Sequence, residues 1–404
     1  MATGADLGIA IALNPNAKTH DIIKSTAVII NNPGTVAGHL AGSESPHNGS
    51  PFRHSPKTPI AMQNSKDVRI VTLRNANGME AAITNFGGRI TRILVPDNKG
   101  LKHDVVLGFD DIESYYPENH LQDFGATIGR YANRIGNGRF TLDGRDIQLP
   151  QNNGPHCLHG GPDGWQYKAF SILEEGDSHL LLQYISPDGD NGFPGCVDFR
   201  VRFTLSDDNA LRIDYQADSD APTVINVTNH SYFNLNGDPD TSILNHVMQI
   251  RSERFTLNDA TCLPTGVVSP VEGTPMDFRT PKAVGRDIDL ADEQLANGRG
   301  YDHNWILDTR GDLSTPCASL ESPITHIRME VFTDQPGMQV YTGNFLDGSV
   351  TGKYGRRYDM RHAVCLETQH YPDSPNHPEW AGSDTALRPG RTFRTTTIFR
   401  FSIA

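Results

Sequence analysis

Val68-Arg-Ile-Val-Thr-Leu73, Glu80-Ala-Ala-Ile-Thr84 and Ile90-Thr-Arg-Ile-Leu-Val95 are three short runs in which apolar and polar residues tend to alternate. They are separated by Asn75-Ala-Asn-Gly78, Phe86-Gly-Gly88 and Pro96-Asp-Asn-Lys-Gly100. A period of two sends successive side chains to opposite faces of a strand, and Gly, Asn, Asp and Pro are the residues that turn a chain sharply. This stretch predicts a strand meander. The pattern returns at 139–149, 180–186, 199–205, 211–217, 246–250, 327–332 and 392–403, with no sustained 3.6-residue period between them. Helical turns are expected only as connections, at 111–115 and 289–297. Residues 63–404 contain no linker-like break, and they predict a single all-β domain, a large antiparallel β-sandwich.

Residues 1–62 lack this pattern. Their second half, Asn31 to Pro59, is dense in Gly, Pro, Ser, Asn and His, a composition that buries too little apolar surface to offset the entropy of ordering. The segment is expected to be a disordered N-terminal tail ahead of the folded domain.

Composition excludes several classes of function. The 404 residues carry 35 Lys and Arg against 48 Asp and Glu, a net charge of −13, so neither nucleic acid nor an anionic membrane is an expected partner. No apolar run approaches the ~18–20 residues of a membrane span. The five cysteines are widely spaced without a C-x-x-C pair, and the apolar stretch Leu7 to Leu13 has no Lys or Arg ahead of it; a cytoplasmic location is expected. Walker loops, a G-x-G-x-x-G opening a helix and a G-x-S-x-G elbow are all missing, so no cofactor is expected. His156 and His159, and His370 and His377, invite a metal reading, but no H-E-x-x-H or cysteine framework accompanies them. No metal is expected.

Two segments carry polar residues where a solvated face normally has Lys, Glu and Thr. In Val224 to Leu235, one face of a strand would present Asn226, Thr228, His230, Tyr232 and Asn234. Such a row suits either a solvent-facing surface or hydrogen bonding to a neutral polyol. In His362 to His370, Glu367 falls in phase with Cys365 and Gln369 and opposite Val364 and Leu366. A carboxylate on a strand with buried neighbours needs a partner, which an Arg or Lys would also satisfy. Gly129-Arg-Tyr-Ala-Asn-Arg-Ile135, Cys157-Leu-His-Gly-Gly161 and Tyr301-Asp-His-Asn-Trp305 are polar in the same unsolvated way.

Together these segments resemble the aldose 1-epimerase (galactose mutarotase) family. The resemblance rests on Asn85-Phe-Gly-Gly-Arg-Ile90, Gly129-Arg-Tyr-Ala-Asn-Arg-Ile135, Leu158-His-Gly-Gly161, Asp190-Asn-Gly-Phe-Pro-Gly195, Thr228-Asn-His-Ser-Tyr-Phe-Asn-Leu235, Tyr301-Asp-His-Asn-Trp305, Gln339-Val-Tyr-Thr-Gly-Asn-Phe-Leu346 and Leu366-Glu-Thr-Gln369, in the family's order across 67–404. It implies a large β-sandwich with a cleft for a hexopyranose. It also implies that Glu367 is the general base and His230 the general acid, with Asn133, Arg134, His159, Asp302 and Gln339 as sugar contacts.

The chemistry suits those residue types. Exchanging α- and β-anomers requires taking the C1 hydroxyl proton while giving one to the ring oxygen. A carboxylate is a ready base near neutral pH, and an imidazole is an acid if a neighbouring carboxylate holds its proton. An acid limb set by Glu367 and an alkaline limb set by His230 are expected. Tyr232, Trp305 and Tyr341 are candidates to cover the apolar side of the ring. The expected enzyme is a mutarotase of free galactose or glucose, monomeric or weakly dimeric. The alternatives are a hexose-6-phosphate 1-epimerase, using Arg89, Arg130 and Arg134 on the phosphate, and a non-catalytic sugar-binding protein.

Overall fold

Residues 68–120, 122–380 and 384–404 are described in the computed structural model; the segment expected to be a tail lies outside them. Strand after strand follows the alternation of its sequence. In Val197–Leu205, every second residue, from Val197 through Phe199, Val201 and Phe203 to Leu205, is buried, and those between are half-buried. This strand lies within a nine-stranded sheet whose order is Ser171–Glu175, His179–Ser186, Val197–Leu205, Ala210–Ser219, Phe393–Ile403, Ile327–Thr333, Ala318–Glu321, Val247–Ile250 and Lys282–Ala283. The C-terminal strand thus sits in the middle, clasped between Ala210–Ser219 and Ile327–Thr333.

A five-stranded sheet, ordered Pro264–Pro270, Arg254–Asn258, Asp302–Ile306, Gly337–Tyr341 and Cys365–Gln369, carries the second half of the polar motifs. Its Phe255, Trp305, Met338, Val340 and Leu366 join Phe199, Val201, Phe203 and Ile213 of the large sheet in one apolar cluster. Fully burying each such side chain is worth about 1.5–3 kcal/mol, and this shared core makes the two sheets a sandwich. The meander expected at 68–100 is a four-stranded sheet of Ile70–Arg74, Glu80–Thr84, Arg89–Pro96 and Lys102–Asp104. Every strand ladder among the described residues is antiparallel.

Among the described residues, helix is confined to connections. A 3₁₀ turn spans Glu113–Tyr115, and a single short α-helix spans Glu293–Gly298. The helix starts later than the expected 289 because Asp292 caps it, accepting from the N–H groups of Gln294 and Leu295. No helix among the described residues is long and apolar enough to cross a membrane.

Val224 to Leu235 departs from its expected form. Strand ladders are limited to Thr223–Val224 and Thr228–His230, with isolated bridges at Asn226 and Phe233, and residues 223–236 are all buried. The segment therefore has no polar face as such. Asn226 donates to the carbonyls of Ala132 and His370, Asn229 to Gly125, and Asn234 to Thr241 and His362. These asparagines satisfy irregular backbone that no ladder serves, as buried carbonyls require.

Candidate active site

The wall of the site is one face of the five-stranded sheet. Alternation sends His303, Trp305, Met338, Val340 and Leu366 toward the apolar side, and Asp302, Asn304, Gln339, Tyr341, Cys365, Glu367 and Gln369 toward the other. Register then sets their neighbours: Asn304 pairs with Gln339, Gln339 with Glu367, and Tyr341 with Cys365. Asp302 is the diagonal neighbour of Gln339, whose Nε2 donates to Asp302 Oδ1 at 2.7 Å.

Facing Glu367 is the short strand Thr228–His230, held by its ladder to Ala126–Ile128. His230 Nε2 lies 3.5 Å from Glu367 Oε1. The imidazole is stacked on Tyr232 at 5.0 Å between centroids and meets the edges of His159 at 5.2 Å and Tyr341 at 6.3 Å. Its rotation is fixed by rings on three sides.

The ladder between Arg134–Ile135 and Cys157–Leu158 supplies the third side. Asn133 and His159 brace each other across it: Asn133 N–H donates to His159 Nδ1 at 3.2 Å, and His159 N–H donates to the Asn133 carbonyl at 3.1 Å. Both residues adopt the left-handed region, with φ of 63° and 52°. Because Nδ1 accepts a hydrogen bond, the neutral ring carries its proton on Nε2. Arg134 is steadied by Nε donating to Asn153 Oδ1 at 3.0 Å.

His159, His230 and Glu367 each offer a ligand atom within 4.8 Å of the others. The tautomer of His159 speaks against a metal there, since its Nε2 presents a proton rather than the lone pair a metal needs.

Burial governs the electrostatics. It pushes the Glu367 carboxyl well above the ordinary carboxylate range, with Asp302 and Asp123 adding repulsion and Arg134 opposing. It pushes His230 down to about 3, with Arg89 reinforcing the shift. The sequence expectation was that the carboxylate would hold the imidazole protonated; in this closed setting, desolvation of both charged forms outweighs their attraction. Both shifts favour the neutral carboxyl and the neutral imidazole. Burial likewise raises Asp302, against the pull of Arg134 and Gln339, and lowers His159 well below its usual value.

All seven sequence-derived site residues converge on this cleft, but other expectations do not hold. Trp305 lies on the apolar face, fully buried, its Nε1 donating to the Met276 carbonyl, so it cannot cover a sugar ring; Tyr232 and Tyr341 remain. Arg89 is spent on the carbonyls of Gln122, Phe124 and Gln166, and Arg130 on Ser186, Pro187, Pro194 and Thr223. Neither is free for a phosphate. Asp123, whose carboxyl burial raises to about 6, and Asn304 were not singled out from the sequence. A cavity of about 770 Å³, lined by Gly136, Asn137, Phe140, Leu263, Asp373 and His377 among others, contains none of the seven.

The match to known proteins follows this geometry. Residues 69–400 fit the model of the aldose 1-epimerase family. The chain belongs to that family. It is 36% identical over 345 residues to the aldose 1-epimerase of Escherichia coli (strain K12), covering 85% of this chain and 98% of that one. It is 41% identical over 324 residues to the galactose mutarotase of Mus musculus, covering 80% and 91%. Among solved structures, an aldose epimerase homologue from C. elegans superposes with a TM-score of 0.75 at 28% identity, covering 83% of this chain and 99% of that one. The galactose 1-epimerase of Lactobacillus acidophilus gives 0.74 at 27%, covering 85% and 97%. This aldose 1-epimerase family member is thus an enzyme of the isomerase class with the family's β-sandwich.

Proposed function

We propose that this enzyme interconverts the α- and β-anomers of free hexoses, galactose or glucose, with Glu367 as general base and His230 as general acid. The observation that carries the reading is the 3.5 Å between His230 Nε2 and Glu367 Oε1. An acid and a base this close can serve two oxygens on the same carbon, and the anomeric carbon is where a pyranose carries two. A glycosidase needs its carboxyl groups about 5 Å apart or more, to hold the sugar between them.

Glu367 takes the proton of the C1 hydroxyl while His230 gives its proton to the ring oxygen, and the C1–ring oxygen bond opens to the aldehyde. Rotation about C1–C2 presents the other face. His230 then recovers the proton from the attacking hydroxyl, and Glu367 returns its own to the new C1 oxygen. No net proton is consumed, and each group contributes typically ~10²–10⁴-fold. The active form needs the proton on His230. Sugar hydroxyls donating to Glu367 Oε2, an atom without a partner among the described residues, offset the burial that holds it on the carboxyl. Asp302, Gln339, Asn133, Arg134 and the Nε2–H of His159 serve as hydroxyl clamps, and Tyr232 and Tyr341 line the apolar side of the ring.

The commitment of Arg89 and Arg130 to internal carbonyls favours a neutral sugar over a 6-phosphate. A monomer or weak dimer in a cytoplasmic setting belongs to the same reading, the setting suited by the five unpaired cysteines. Polarimetry of fresh α-galactose, α-glucose, xylose and the hexose 6-phosphates tests the reading. Faster mutarotation of the free sugars is expected; no acceleration of any of them overturns it in favour of a sugar-binding protein.

A further inference from the structure

Six polar side-chain atoms on the cleft-facing side of the five-stranded sheet have no hydrogen-bond partner among the described residues: both amide atoms of Asn304, both of Gln369, Oε1 of Gln339 and Oε2 of Glu367. Asn304 and Gln369 are 0% exposed, and Gln339 and Glu367 2%. These atoms belong to one contiguous patch. Asn304, Gln339 and Glu367 form a single cross-strand row, and Gln369, two positions after Glu367 on the same face, pairs with Gly337. The glycine is required there, because a Cβ would lie 2.5 Å from Asn304 Oδ1 and 2.8 Å from the Tyr371 ring. The Asn304 carboxamide therefore leans over the bare backbone between itself and Gln369.

Two wholly buried carboxamides without partners are a burden to a sheet, and apolar residues of the same size would carry none. Buried polar groups in native proteins are as a rule satisfied, by ordered water where protein does not reach. The one ionisable member of this patch is Glu367.

We propose that Asn304 and Gln369 are positioning residues for Glu367: through ordered water, their N–H groups hydrogen-bond Oε2, orient the carboxyl group and favour its ionised form. The inference rests on the reading of Glu367 as base. The groups that face Glu367 are His230 and Tyr232 from one side, Asp302 and Tyr341 from its own sheet, Asp123 and Arg134 from the flanking segments, and Cys365 on its own strand. Among these, Asp302 and Asp123 work against ionisation of Glu367, and neutral donors counter them without adding charge.

The test is kcat/KM against pH for galactose mutarotation by Asn304→Leu and Gln369→Met in the full chain, beside Glu367→Gln. In both amide variants, the limb that disappears from the residual activity of Glu367→Gln is expected to move up by about one pH unit. At neutral pH kcat/KM falls about tenfold with it, because one unit is a tenfold loss of the ionised fraction. A lower rate with that limb unmoved means a structural role only and overturns the proposal. Should either variant fail to fold, a crystal structure of the unsubstituted enzyme decides: ordered water joining Glu367 Oε2 to the two amides is expected, and its absence there overturns the proposal. Near-normal turnover in Glu367→Gln defeats the base reading itself; an inactive Glu367→Gln beside unmoved limbs in the amide variants defeats only this inference.

Discussion

Asn133 donates its main-chain N–H to Nδ1 of His159 at 3.2 Å, so the proton of that imidazole is on Nε2. A ring in this tautomer gives a hydrogen bond to a hydroxyl and offers no lone pair to an ion. Dialysis against EDTA is therefore expected to leave the mutarotation rate unchanged. A loss restored by a stoichiometric divalent ion would mean that His159 turns its ring, and would return His159, His230 and Glu367 as ligands.

Glu367→Gln keeps shape and hydrogen-bonding reach but removes the charge, and His230→Asn removes the transferable proton. Each should lower kcat by ~10²-fold or more while sugar binding, read by isothermal titration, persists. Asp302→Asn should act differently. A clamp holds ground and transition states alike, so KM is expected to rise at least as much as kcat falls.

The pH profile of kcat/KM follows from burial. With His230 depressed to about 3 and Glu367 raised well above its ordinary value, the pair keeps one proton across a broad plateau. Below it, a second proton goes onto His230; above it, the last leaves Glu367. The acid limb thus belongs to His230 and the alkaline limb to Glu367, the reverse of the order that free residues would give. The residual activity of Glu367→Gln should lose its alkaline limb and that of His230→Asn its acid limb; the opposite assignment refutes the burial argument.

Lys353 is buried, with Nζ 2.7 Å from Asp104 Oδ2 and 2.9 Å from the Val106 carbonyl. Lys353→Met leaves Asp104 as a buried charge without its partner, which typically costs about 3–5 kcal/mol. Urea unfolding should show that loss, while kcat in the surviving native fraction stays close to normal. A midpoint unchanged from the parent enzyme contradicts the assignment.

A chain beginning at Met62 is expected to match the full chain in turnover and melting temperature, as the patterned sequence starts just after it. Insolubility or lost activity would make residues 1–62 a working part of the domain.

Legibility in the sequence followed the strength of local alternation. Glu80–Thr84 is read to the residue from the turns that bound it, and Val197–Leu205 nearly so, because a one-sided strand writes its period directly into its side chains. The same rule misleads at Val224 to Leu235, where the backbone is buried on all sides and the asparagines answer to carbonyls far along the chain. Trp305 failed for a related reason: alternation places it opposite Asp302 and Asn304, but not which face meets the cleft. The motifs pointed to Glu367 and His230, whereas the expected reversal of their proton order rests on desolvation, a property of packing. Asn304 and Asp123 carry no signal of their own, since what matters about them is the row or the charge they are set beside.

Thr228–His230 and Cys365–Gln369 belong to different sheets and come from distant parts of the chain, yet the reaction needs them within a single proton's reach. Nothing local can form that juncture, and contacts of high sequence separation are slow to close. Activity is consequently expected to return late in folding. In refolding from denaturant, burial of Trp165 and Trp305 in the shared core should restore the fluorescence before polarimetric activity returns, and the lag between the two signals times the docking of Thr228–His230 against Cys365–Gln369.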